Sequence, residues 1–92
     1  MKVVILGNRS DEDLFTHAEN RIRDDGDIPI NPIKVMYALP DDISNADFIA
    51  VLIELVRISD AVMLIPGWEH DLASSIAKTN AERSEKEIRW RV

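Results

Sequence analysis

The chain has 92 residues, with 11 Lys+Arg against 17 Asp+Glu, a formal charge of −6, 46% hydrophobic residues and only 5% aromatic ones. That is the size of one acidic globular domain, 1–92, whose single core buries roughly 60–65% of the unfolded surface, and it excludes a second domain. The absence of cysteine removes disulfides, thiolate metal sites and Cys nucleophiles, which fits a reducing cytoplasm, and the acidic balance without a basic tract argues against nucleic-acid backbone binding.

Lys2 to Leu6 is a β-branched run closed by Gly7, the pattern of a strand buried on both faces and hence of a parallel sheet. Ser10 and Asp13 form a capping-box pattern, and Leu14, Phe15, Ala18 and Ile22 recur at helical spacing up to Gly26, which predicts a first helix over about Asp11 to Asp25. Ile28-Pro29-Ile30 reads as a short edge strand, because Pro29 cannot donate to a ladder. From Asn31 to Ser44, Pro32, Pro40 and the Asp41-Asp42 pair predict a long irregular segment of the kind that serves as a binding loop. Its Met36 and Tyr37 are placed to pack on the core, with a ligand-facing role as the alternative.

Ser44 and Asp47 repeat the capping-box pattern ahead of Ile49, Leu52, Ile53 and Val56, predicting a well-buried second helix to about Ser59. Ala61 to Ile65 is a second buried strand, broken by Pro66-Gly67. A third helix follows over about Asp71 to Ser84, and Ile88, Trp90 and Val92 alternate with Arg89 and Arg91 as a terminal strand with one solvated face. The longest apolar stretches, such as Ala61 to Pro66, fall far short of the ~20 residues of a membrane span. The charged start Met1-Lys2 leads directly into a strand, so no membrane segment or secretion signal is expected, and the expected location is cytoplasmic.

This alternation predicts an α/β three-layer sandwich, Rossmann- or flavodoxin-like, with a four-stranded, mostly parallel sheet in the order 2-1-3-4. Ligands of such sheets bind beyond the carboxyl ends of the strands, where neighbouring strands send their connections to opposite faces. Here that crevice falls between Gly7-Asn8-Arg9-Ser10 and Pro66-Gly67-Trp68-Glu69-His70-Asp71. Amides at a helix start favour phosphate, but Asp11, Glu12, Asp13, Glu69 and Asp71 crowd the same rim and repel it. Carboxylates and Asn8 accept hydrogen bonds from hydroxyl groups, and Trp68 offers a plane for a flat base, so a nucleoside or sugar fits better than free phosphate. Arg9 is placed to hold a single phosphate or carboxylate group on such a ligand.

The candidate ligand-binding residues are therefore Gly7, Asn8, Arg9, Pro66, Gly67, Trp68, His70 and Ser74, with Glu69 and Asp71 as candidate catalytic carboxylates. Each has a plainer role beside the functional one. Asp11, Glu12 and Asp13 complement a helix dipole, Asp71 caps the third helix, Glu69 and His70 are solvated loop residues, and Trp68 packs in a subunit interface. Ser74 and Ser75 are ordinary first-turn residues, and His17 lies at the surface. The two histidines are too far apart to suggest a metal site, and no cofactor is implied. The known glycine-rich and lysine-containing phosphate loops are absent, and Ile65-Pro66 stands where a receiver domain carries its phosphoacceptor Asp.

Val3 to Gly7, Asn31-Pro32 and Asp60 followed by Ala61 to Glu69 with its Pro-Gly-Trp-Glu run resemble the nucleoside 2-deoxyribosyltransferase-like superfamily, in particular its small phage- and bacteria-associated branch. The resemblance spans nearly the whole chain and implies a nucleoside or nucleotide-like ligand and a homodimer, with the second helix and Trp90 as contact candidates. It also implies a nucleophilic glutamate at the position of Ala77, which cannot attack. A second carboxylate of the transferases is matched by Asp71, a further Asp falls near Leu52 or Ile53 and is missing, and Asn8 replaces a loop proline. The expected function is thus binding of a nucleoside, nucleotide or related sugar-base molecule on a scaffold without its nucleophile. The alternatives are an N-glycosyl hydrolase or transferase using Glu69 or Asp71, and a protein-interaction module presenting Trp68, Trp90 and the acidic rim.

Overall fold

The computed structural model describes residues 1–90, so the expected strand position of Val92 lies outside the described residues. Four strands, β1 (Lys2–Leu6), β2 (Ile28–Ile30), β3 (Ala61–Leu64) and β4 (Glu87–Trp90), form one sheet in the order β2-β1-β3-β4, and every pairing is parallel. Val4 stands beside Val62, and Leu6 beside Leu64, in the central register. Among the described residues the other elements are the helices α1 (Glu12–Asp24), α2 (Pro32–Tyr37), α3 (Asn45–Ile58) and α4 (Leu72–Arg83) and a 3₁₀ turn at Trp68–His70.

The two faces of the central strands sort the core into two layers, because successive strand side chains point in opposite directions. Val3, Ile5, Ala61, Met63 and Ile65 pack against Phe15, Ala18 and Ile22 of α1 and Ile33 of α2. Val4, Leu6, Val62 and Leu64 meet Phe48, Leu52 and Val56 of α3 and the small-residue stripe Ala73, Ala77, Ala81 of α4. Both central strands are therefore buried on two sides, the arrangement their unbroken apolar runs predict. The predicted three-layer sandwich and strand order are the observed ones.

Local structure departs from the sequence reading in three places. The predicted irregular segment after β2 starts with a helix, because Asn31 and Pro32 act as N-cap and first helical residue: the Asn31 side chain accepts from the Ile33 amide at 3.0 Å, and proline gives up no hydrogen bond at that position. The Ser10/Asp13 capping box does not form. Asn8 instead draws the Ser10 amide and hydroxyl onto its own Oδ1 at 3.1 and 2.8 Å, leaving Asp11 at the N-cap of α1 without a side-chain cap bond. In α3 the fully buried stripe is Phe48, Leu52 and Val56, displaced from the expected Ile49 and Ile53; the Ser44 cap is present, accepting from the Asp47 amide at 3.0 Å.

Two helix ends share one stop. At the end of α1 the Asp27 amide returns to the Ile22 carbonyl and that of Gly26 to Arg23, with Gly26 at φ +85°. At the end of α4 the Lys86 and Glu85 amides return to Ala81 and Glu82, but the left-handed position belongs to Glu85 at φ 57°.

Candidate functional site

β1 sends its connection through α1 to β2 on one side, and β3 sends its connection through α4 to β4 on the other, so the switch point lies between the carboxyl ends of β1 and β3. The two predicted loops meet there: a Cβ on Gly67 would stand 3.6 Å from Asn8 Cβ and 3.9 Å from Asp11 Oδ2. Gly67 itself holds φ +94°, which turns the chain into the 3₁₀ turn.

The join is made by Ser74 and Gly7. The Ser74 hydroxyl, 2% exposed, accepts from the Gly7 amide at 3.0 Å and donates to the Gly7 carbonyl at 2.8 Å, tying the first turn of α4 to the end of β1. Gly7 has no room for a side chain, since a Cβ would come within 2.4 Å of Ile65 Cγ1. Asp71, 8% exposed, caps α4 by accepting from the Ser74 amide through Oδ2 at 3.0 Å, while its Oδ1 accepts from Arg9 Nε at 3.2 Å. Both carboxylate oxygens of Asp71 are thus engaged.

Arg9 is held from three directions. Besides Asp71, its Nη2 donates to Asn45 Oδ1 at 3.2 Å, and the guanidinium carbon lies 4.6 Å above the centre of the Phe48 ring. The remaining amino group, Nη1, has no protein acceptor among the described residues. Arg9 also stands in the wall of a surface cleft of about 400 Å³, which Ser74 does not line. Its walls are Met36 and Tyr37 of α2, the connection through Leu39 to Ser44, and Asn45 and Phe48 at the start of α3. Among the described residues that line it, Arg9 carries the only positive charge and Asp41 the only negative one.

At the rim the Tyr37 hydroxyl donates to Glu12 Oε1, linking the end of α2 to the first turn of α1. This hydrogen bond, followed by burial and the Glu12 charge, raises the Tyr37 hydroxyl above its ordinary pKa. Among the described residues no buried side-chain nitrogen or oxygen lacks a hydrogen-bond partner, so the buried Ser74 and Asp71 end of the network is fully paired, while Arg9 keeps its Nη1 group free toward the surface.

The predicted site residues therefore divide. Gly7, Arg9, Asp71 and Ser74 belong to one network, and Asn8 shapes the adjoining turn. Of the predicted residues only Arg9 lines the cleft. Pro66, Glu69 and His70 are exposed, and Glu69 faces His70 at 3.8 Å. Trp68 turns to Trp90, their rings edge to face with centres 5.9 Å apart and Lys78 Nζ 5.2 Å from the centre of the Trp68 ring, so it does not offer its plane to the cleft. Ala77 is fully buried in the α4 layer with Val4, Leu6, Val62 and Leu64, below Ser74.

Met36 packs against both core layers, as the sequence predicts, and also lines the cleft, whereas Tyr37 lines the cleft but is exposed rather than packed on the core. Asn45 and Phe48 are the contributors that sequence reasoning missed; the signal for Phe48 was its place in the 48, 52, 56 stripe at the mouth of α3. Among the described residues no cluster of three or more His, Asp or Glu side chains is arranged to hold a metal ion, and no helix is long and apolar enough to cross a membrane. No curated protein matches the chain. The family model that matches, over residues 4–89, is described as a domain of unknown function, DUF4406, and the chain belongs to that family.

Proposed function

We propose that the cleft beside Arg9 binds a nucleoside or a closely related sugar-base molecule, and that the protein acts as a binder on a deoxyribosyltransferase-like scaffold. The observation that carries this is Arg9: its guanidinium is laid flat on Phe48 and pinned by Asp71 and Asn45 in the wall of a cleft next to the switch point. A guanidinium fixed in this way presents its other face to a planar base and its free N–H groups to a base carbonyl. Asp41, Ser44 and Asn45 supply acceptors and donors for sugar hydroxyls, and Met36, Leu39 and Ile43 supply apolar walls. The volume of about 400 Å³ falls in the range of small-molecule sites.

Binding without bond cleavage is favoured because Asp71 spends both oxygens on Arg9 and the α4 cap, while Glu69 lies outside the cleft lining. A panel of purine and pyrimidine nucleosides tests the proposal by thermal shift. Ligands should raise Tm in proportion to the logarithm of their concentration, as linkage requires, and Arg9→Met should remove the shift. No shift with any nucleoside at millimolar concentration overturns the proposal. Free base appearing on chromatography would replace a binder with an N-glycosidic enzyme.

A further inference from the structure

We infer that Asp71 sets the charge preference of the cleft: by neutralising Arg9 from behind, it makes the site take uncharged nucleosides and turn away those that carry a phosphate. The inference rests on the nucleoside reading above and specifies its ligand class. Arg9 is the only cation among the described lining residues, and a lone arginine on an aromatic face is a natural phosphate holder. Here its Nε is bound at 3.2 Å by a carboxylate that is only 8% exposed, so the charge is compensated where solvent screens it least. Two carboxylates add negative charge at the opening: Asp41 in the lining, and Glu12, bound to Tyr37, at the rim.

A ligand anion entering this cleft meets an arginine already paired and a field of negative sign, whereas a neutral ligand meets the same arginine as a flat, oriented set of donors. Asp71 is thus a positioning residue with a second effect. It holds the guanidinium in place, and it cancels the charge that would otherwise recruit phosphate.

The two effects separate experimentally. Calorimetric titrations with adenosine, thymidine and their 5′-monophosphates are compared for the natural chain and for Asp71→Asn, which keeps a side chain able to cap α4. The natural chain should bind at least one nucleoside about tenfold or more tightly than its monophosphate, and Asp71→Asn should shift that ratio by about tenfold or more toward the monophosphate, a change the loss of one nearby charge can supply. Asp71→Ser, another good cap, gives the same readout should the Asn variant fold poorly. A purely structural role would weaken both ligands together and leave the ratio unchanged, which overturns the inference while leaving nucleoside binding intact. Monophosphates binding the natural chain as tightly as nucleosides also overturns it. Failure of all four ligands to bind overturns the nucleoside reading itself.

Discussion

Replacing Ser74 with alanine deletes one oxygen and strands two backbone groups. The hydroxyl accepts from the Gly7 amide at 3.0 Å and donates to the Gly7 carbonyl at 2.8 Å, in a place where Ser74 is 2% exposed and water cannot substitute freely. Each hydrogen bond contributes about 0.5–1.5 kcal/mol net, and each buried backbone group left without a partner costs about 1–3 kcal/mol. Because the carbonyl keeps a second lone pair and the loop can relax slightly, the expected loss is about 2–4 kcal/mol. At about 4–8 °C per kcal/mol for a domain of this size, that lowers Tm by about 8–32 °C. Urea unfolding should show a lower midpoint with an unchanged slope. Ser75→Ala is the control: it removes a hydroxyl in the same helical turn that has no hydrogen bond among the described residues, and should cost less than about 0.5 kcal/mol. A Ser74→Ala loss no larger than that of the control would refute the view that this side chain joins β1 to α4.

Gly7→Ala places a Cβ 2.4 and 2.6 Å from the Ile65 side chain and should destabilise by about 1–3 kcal/mol in urea unfolding, a loss that Ile65→Ala in the same chain should make non-additive. Glu85→Gly relieves a left-handed backbone position and should stabilise the protein by about 1 kcal/mol, with no change in ligand response because the site is at the other end of α4. The Met1 ammonium and, next, the Arg89 guanidinium hold the Asp27 carboxyl below its ordinary pKa. Its contribution to stability is therefore present above the ordinary carboxylate value of about 3.9 and is lost as pH falls through the lower folded value. Asp27→Asn should flatten the acid limb of the stability profile below about pH 4, as urea unfolding measured across that range would show.

The sheet was legible in the sequence because buried parallel strands have a signature that survives out of context: Val3 to Leu6 and Ala61 to Ile65 are unbroken apolar runs, and short helical segments between them admit few topologies. The switch point followed from that order, and with it the placing of Gly7, Arg9, Asp71 and Ser74 in one crevice. Helix α2 was not legible because Asn-Pro is chemically ambiguous. The same pair that ends a strand with a turn also caps a helix and fills its first position, and only the packing of Ile33 and Met36 on the core decides.

The contact made by Trp68 was not legible for a different reason. An aromatic residue in a loop at the sheet's carboxyl end has two places to go, and its partner Trp90 lies on β4, a pairing no periodicity reveals. Asn45 and Phe48 were hidden in the same way: local pattern assigns Phe48 to the core, and its second face, beneath Arg9, exists only because the loop after β1 crosses the start of α3.

The most direct test of nucleoside binding at the Arg9 cleft is a nuclear magnetic resonance titration of the isotope-labelled protein with nucleosides, following backbone amides and both indole N–H signals. Binding in the cleft predicts saturable shifts concentrated at Arg9, Tyr37, Asn45 and Phe48, with the Trp68 and Trp90 indoles unmoved. Shifts centred on Trp68 and its neighbours, or none at any concentration tested, would contradict it.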